Sequence, residues 1–293
     1  MLKLCNVRKT FGSFTALKDL TLTVPKGSVF GLVGPNGAGK STAIRILTGV
    51  YRPDSGTVTV DGCKIYENPE IKARIGYIPD EVFFFPSATL EEMRRFYKGI
   101  YKNYNDELFN RLCTVFSLPP NTQLRRLSKG MQKQAAFLLT LCTHADVLIL
   151  DEPVDGLDPV MRRQIWSLIL SDVAQRGTTV LISSHNLREL EDVCDHVGIM
   201  NHGTMLLQQS LVQLQSNLVK LQIAGELPEH LEILHEAAGS KLKTVVVRGT
   251  AEEVTQAVEA VNPRFYQVLP LSLEEIFIYE LGGVNNEVKN ILL

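Results

Sequence analysis

The chain has no pair of cysteines close enough to act together. Its five, Cys5, Cys63, Cys113, Cys142 and Cys194, lie far apart without a CxxC spacing. That excludes a zinc-finger arrangement and a disulfide framework, and it predicts reduced, mostly buried thiols in a cytosolic protein. A long apolar run is also missing. The longest candidate, Phe137 to Leu150, is broken by His144 and Asp146 and falls short of the roughly 18 residues of a membrane span. The N-terminal stretch "MLKLCNVRKTFGSFTALKDLTL" carries charges where a signal peptide needs an apolar core. Any membrane role is therefore expected to come through another chain. Excess charge is lacking too: 30 Lys and Arg face 32 Asp and Glu, for a net −2. Without a basic field, nucleic acid is not an expected partner. Neither low-complexity segments nor internal repeats are evident.

What is present is apolar mass, 45% of 293 residues, enough for one large core or two domains. "TLTVPKGSVFGLVG" predicts a strand, a Pro-Lys-Gly turn and a buried strand Val29 to Val33. A glycine-rich turn and a helix from Lys40 to about Thr48 follow, then a hairpin in "YRPDSGTVTVDG". From about residue 87 to 142 the pattern turns helical. Thr89 and Glu92 have capping-box spacing, and Ser128 opens a second helix. Strand "DVLIL", a helix from Pro159, strand "TTVLISS" and a helix near Asn186 come next. Strand–helix alternation interrupted by helices predicts an α/β core with an inserted α-helical lobe. After about residue 210, "NLVKLQIAG", "PEHLEILHEAAG", "KTVVVRG", "AEEVTQAVEAV", "RFYQVLP" and "SLEEIFIYEL" alternate strand and helix, giving a small C-terminal α+β domain over 210–293. Ser272 and Glu275 again have capping-box spacing.

"GPNGAGKST", residues 34 to 42, matches GxxxxGK[ST] between a buried strand and a helix. Gly34, Pro35, Asn36, Gly37, Ala38, Gly39, Lys40, Ser41 and Thr42 form the expected phosphate cradle, with backbone N–H groups from all but Pro35. Lys40 reaches terminal phosphates, and Ser41 offers a hydroxyl to Mg²⁺. "VLILDEP" sets Asp151 and Glu152 at the C-terminal end of a buried strand, the edge where α/β sheets bind ligands. Neighbouring strand residues point opposite ways. Asp151 is assigned to Mg²⁺, and Glu152 to orienting and deprotonating an attacking water. His185, after "VLISS", is a candidate partner of the γ-phosphate that keeps the water and Glu152 in register.

Together, "GPNGAGKST", "GYIPDE", "LSKGMQKQ", "VLILDEP", "DGLDP" and "SSH", in that order, resemble the ATP-binding subunit of ABC transporters over residues 1–209. The tail resembles, more loosely, the extension of ABC-2-type exporter ATPases, and the whole chain is similar to stand-alone ATPase subunits of Gram-positive bacterial exporters. The resemblance implies a P-loop core of ABC ATPase type with an N-terminal antiparallel β subdomain, and ATP and Mg²⁺ as ligands. It puts Phe11 in the place of the adenine-stacking aromatic. Ser128, Lys129, Gly130 and Met131 take the place of the signature that caps a γ-phosphate held by a second ATP-binding subunit, and Asp158 that of a dimer-interface carboxylate. It implies a head-to-tail dimer, of two copies or with a different ATPase, driving a separate polytopic transmembrane subunit from the inner face of the cell membrane. Soluble or regulatory ABC-type ATPases are the alternative.

Two departures stand out. Asp80 sits where the family has a glutamine that contacts Mg²⁺ and the attacking water; a carboxylate is equally a hard oxygen ligand, or it faces solvent. Phe83, Phe84 and Phe85 cannot all enter one core, so at least one faces outward. In the family this junction receives a short helix of the membrane subunit, which makes all three candidates for that contact; a satellite core under the lobe is the other reading.

Overall fold

The computed structural model describes residues 1–228, 230–237 and 242–282. In chain order the elements begin with β1 (Leu2–Phe11), β2 (Phe14–Val24), β3 (Val29–Val33), α1 (Lys40–Leu47), β4 (Ser55–Val60), β5 (Cys63–Lys64), α2 (Pro69–Lys72) and β6 (Ile75–Ile78). The lobe supplies α3 (Leu90–Ile100), α4 (Asp106–Val115), a 3₁₀ turn and α5 (Lys129–Leu141). The core resumes with β7 (Val147–Asp151), α6 (Pro159–Arg176), β8 (Thr179–Ser184), α7 (Arg188–Glu191), β9 (His196–Asn201) and β10 (Thr204–Ser210). The remainder is α8 (Leu211–Ser216), β11 (Leu218–Ala224), β12 (Glu232–Ala237), β13 (Lys243–Arg248), α9 (Ala251–Ala260), β14 (Phe265–Leu269) and α10 (Leu273–Gly282).

The chain divides into two compact units. The first comprises Met1–His185 and Gly198–Gln208. Its six-stranded sheet runs β10-β9-β3-β8-β7-β6, with β3, β8, β7 and β6 parallel. β3 and β8 are buried at every residue, as is β7, which is why they read as continuous apolar runs rather than alternating ones. An antiparallel sheet, β2-β1-β4-β5, carries the N-terminal strands. Leu4, Leu20, Leu22, Phe30, Leu32, Ile44 and Leu47 share one core across both sheets and α1. Each such side chain contributes about 1.5–3 kcal/mol on burial.

In the lobe, Thr89 caps α3 in a complete capping box with Glu92. Helix α5 returns the chain to the sheet over Gly76. A Cβ at Gly76 would stand 2.8 Å from Leu148 Cδ2 and 2.8 Å from Thr140 Cγ2, so the helix seats against β6 only because that position has no side chain. Of the five thiols, Cys142 and Cys194 are buried, Cys5 and Cys113 half-buried, and Cys63, on an edge strand, exposed. The expectation of mostly buried cysteines thus holds for two.

The second unit comprises Asn186–Val197 and the chain from Gln209 onward. Its sheet runs β12-β13-β11-β14, all pairs antiparallel. Val219, Leu221, Ile223, Val245 and Val247 bury one face with Val254 and Val258 of α9. Glu275 and Ser272 cap α10 reciprocally, and Arg188 of α7 pairs with Glu274 at 2.8 Å. One sequence expectation fails. "PEHLEILHEAAG" reads as a helix, yet residues 232–237 form strand β12. Ile233 pairs with Val247 and His235 with Val246 across a bulge. An available edge of β13 outweighs the local helix preference of a short Glu- and Ala-rich segment.

Substituting Gly76→Val should destabilise the protein by about 1–3 kcal/mol by wedging methyls between β6 and α5. Gly99→Ala in α3, where a Cβ meets nothing within 4 Å, should instead stabilise it by up to about 1 kcal/mol. Thermal unfolding of both variants checks the contrast in sign.

Candidate nucleotide site

A cleft of about 240 Å³ is walled by Phe14 and Ala16, by the loop from Pro35 to Thr42, and by Asp80 and Glu152. Gly39 caps α1 in the left-handed region, φ 103°. A Cβ there would lie 2.9 Å from the Ala16 carbonyl oxygen and from Leu17 Cδ2, so both conformation and space demand glycine. The N-terminus of α1 and its unpaired backbone N–H groups therefore open onto this loop, an arrangement suited to an anion. The buried Lys40 ammonium donates to the Gly34 carbonyl at 2.7 Å and lies 3.6 Å from Glu152.

The two acidic residues part company at the end of β7. Asp151 is buried, and its Oδ1 accepts from Ser183 Oγ at 2.5 Å and from Ser41 Oγ at 3.4 Å. Glu152 turns into the left-handed region, φ 45°, a conformation uncommon outside glycine. Its N–H donates to Ser183, at 3.2 Å to the carbonyl and 3.1 Å to Oγ. Its carboxylate lies 2.9 Å from His185 Nδ1. Glu152, His185 and Lys40 thus gather on one wall, and Asp151 and Ser41 beside it.

Asp80 lines the same cleft. Burial raises its carboxyl above the usual range, and the charge of Lys133 opposes that rise. Lys133, on α5, donates to the carbonyls of Glu152 at 3.2 Å and Asp155 at 2.7 Å.

The aromatic lining this cleft is Phe14, and Phe11 is not among its walls. The two pair across the Gly12–Ser13 turn. Phe14 lies on β2, the strand that runs on to Ala16 at the cleft, whereas the Phe11 ring rests edge-on against Tyr51 with centroids 5.4 Å apart. Sequence reasoning missed Phe14, Ser183 and Lys133. The signals were faint: a second aromatic three residues after Phe11, a serine ending an apolar strand, and a lysine inside a helix.

The signature residues stand elsewhere. Ser128 caps α5, its Oγ accepting from the Met131 N–H at 3.3 Å. Lys129 is exposed, and Gly130 and Met131 are half-buried. Gln132 turns its amide to the Leu127 carbonyl at 2.9 Å. None of them lines the cleft. Asp158 caps α6, its Oδ1 accepting from the N–H groups of Val160 and Met161 at 3.0 Å each.

The three phenylalanines split. Phe84 is buried at 7% exposure, whereas Phe83 is 76% and Phe85 49% exposed. Phe84 is thereby corrected from contact candidate to core residue; in an extended segment its neighbours must face away. The Phe85 ring meets Phe96 of α3 edge-on at 5.2 Å, and Phe96 is itself exposed.

Comparison with known proteins agrees with this geometry. Residues 17–155 match the family model described as ABC transporter. The ABC transporter ATP-binding protein YtrB of Bacillus subtilis is 32% identical over 289 residues, covering 97% of this chain and 99% of YtrB. The linearmycin resistance ATP-binding protein LnrL of the same organism is 33% identical, covering 77% of this chain and 76% of LnrL. A solved ATP-binding subunit of an ABC transporter superposes with a TM-score of 0.68 at 26% identity, covering 73% of this chain and 92% of that one. With phosphate loop, acidic strand end and inserted lobe in one unit, the chain belongs to the ABC transporter family as an ATP-binding subunit.

Proposed function

We propose that this subunit hydrolyses ATP to power an exporter, working as a dimer of ATP-binding subunits beneath a separate transmembrane chain on the inner face of the cell membrane. The observation that carries the reading is the position of Glu152. It stands on the cleft wall between Lys40 of the phosphate loop and His185. The relative named for linearmycin resistance supports export. Among the described residues no helix is long and apolar enough to cross a membrane, which is consistent with a separate membrane partner.

The roles follow from the chemistry. Residues 34–42 hold the phosphates, and Phe14, on the cleft wall in place of its cross-strand partner Phe11, offers a face for the base. Glu152 orients a water and accepts its proton, with His185 holding the carboxylate. Ser41, Asp151 and Asp80 would hold Mg²⁺. Their hard oxygens beside the phosphate loop, with Ser41 Oγ 3.4 Å from Asp151 Oδ1, fit that ion. Held there, Mg²⁺ would supply positive charge to offset that of the phosphates. The signature, Ser128 to Met131, lies outside its own chain's cleft, which supports composite sites completed by the second subunit, either an identical copy or a related ATPase. Asp158 belongs to that interface. Phe83 and Phe85, with Phe96, form the exposed aromatic face for a helix of the membrane subunit.

Glu152→Gln should bind ATP and dimerise, while turnover falls by about 10²- to 10⁴-fold; near-normal steady-state ATPase would show that the base lies elsewhere. Asp80→Gln should bind nucleotide with less dependence on Mg²⁺ than the wild type, because a carboxylate beside a triphosphate needs a cation between them. Titrations with and without Mg²⁺ decide this, and equal dependence in both forms would refute it. Phe85→Ser should retain nucleotide binding yet lose co-purification with the transmembrane subunit; unchanged assembly and transport would remove the aromatic face from the interface.

A further inference from the structure

Helix α5 begins with the signature at Ser128 and carries Lys133 one and a half turns later. Lys133 and Gln134 fasten this helix to the segment that follows β7. Lys133 Nζ bridges the carbonyls of Glu152 and Asp155, at 3.2 and 2.7 Å. The Gln134 side-chain amide lies against Met161 Sδ. The same short segment contains Glu152 in its left-handed turn and Asp158 at the cap of α6. A cation on two carbonyls is a strong, charge-assisted tie. It also fixes the peptide group of a residue whose backbone conformation is unfavourable by itself.

We propose that Lys133 is a positioning residue that couples the two ATP sites of the dimer. The inference rests on the composite-site reading above. In that arrangement the signature of each chain faces the nucleotide of its partner, while Glu152 faces its own. Closure of the signature on the partner's ATP moves the N-terminal turns of α5. Lys133 carries that movement to the Glu152 carbonyl and so to the aim of its carboxylate at His185. Each subunit thereby reads the occupancy of one site and adjusts hydrolysis in the other. The charge of Lys133 also opposes the burial-driven rise of the Asp80 carboxyl.

The test is steady-state ATPase of the purified full chain across ATP concentrations, for wild type, Lys133→Met and Lys133→Arg. Met keeps the length and apolar stem and removes the donor. Its kcat should fall by about 10- to 100-fold, as for loss of a group that orients a reacting one, with KM changed less than about threefold. Its Hill coefficient should drop to 1, and Arg, which can still donate to both carbonyls, should restore both quantities. ATP-driven dimerisation should persist when Lys133→Met is combined with Glu152→Gln. An unchanged kcat and Hill coefficient in Lys133→Met would overturn the proposal. Loss of the ATP-bound dimer in the double variant would overturn it too, by assigning Lys133 a structural role. A wild-type chain that neither dimerises with ATP nor hydrolyses it would bring down the composite-site reading itself, and this proposal with it.

Discussion

A buried hydrogen bond, Ser183 Oγ to Asp151 Oδ1 at 2.5 Å, joins the ends of two neighbouring parallel strands. A carboxylate that deep in an apolar sheet is tolerated only with such a partner. The bond ties the register of β7 and β8 to the placement of the acidic groups. The same hydroxyl, together with the Ser183 carbonyl, receives the Glu152 N–H. One serine thus holds Asp151 toward Ser41 and swings Glu152 the other way, into the cleft. Two residues on from Ser183, His185 meets the carboxylate that this turn presents. The phosphate loop shares this cleft, and the placement of the acidic pair comes down to how two strand ends are pinned together.

Much of this unit was legible from residue order. The loop at residues 34–42 is contiguous, and its glycine and lysine positions are dictated by local geometry. Buried strands β3, β7 and β8 announce themselves as unbroken apolar runs. Glu152 and His185 follow such runs directly. Contacts made between distant segments were far less legible. Ser183 and Lys133 act through partners 32 and 19 residues away, and nothing local marks them. Phe14 lines the cleft because of a cross-strand pairing that sequence order alone ranks below Phe11. Strand β12 depends on an edge offered by β13, so its own helical propensity misleads.

The Phe83–Phe85 run shows both limits at once. Alternation along an extended segment requires that the middle residue differ from its neighbours, but not which way it points. The fold decides that Phe84 goes inward. It also brings up Phe96 from α3, which no reading of the run alone would include. An outward aromatic surface here is therefore assembled from a loop and a helix, each with one face already committed to the lobe.

The close seat of α5 on Gly76 gives that helix a fulcrum. Thr140 sits where the missing Cβ leaves no slack, so any rocking of the helix pivots near its C-terminal end. Ser128 lies twelve residues away along the axis, about 18 Å, and Lys133 seven residues away, about 10 Å. A tilt of about 5° about that point would then sweep the signature through about 1.5 Å and Lys133 through roughly half as much, by the same rise per residue. A single side chain, by being absent, sets where this helix pivots and how far its first turn travels for a given tilt.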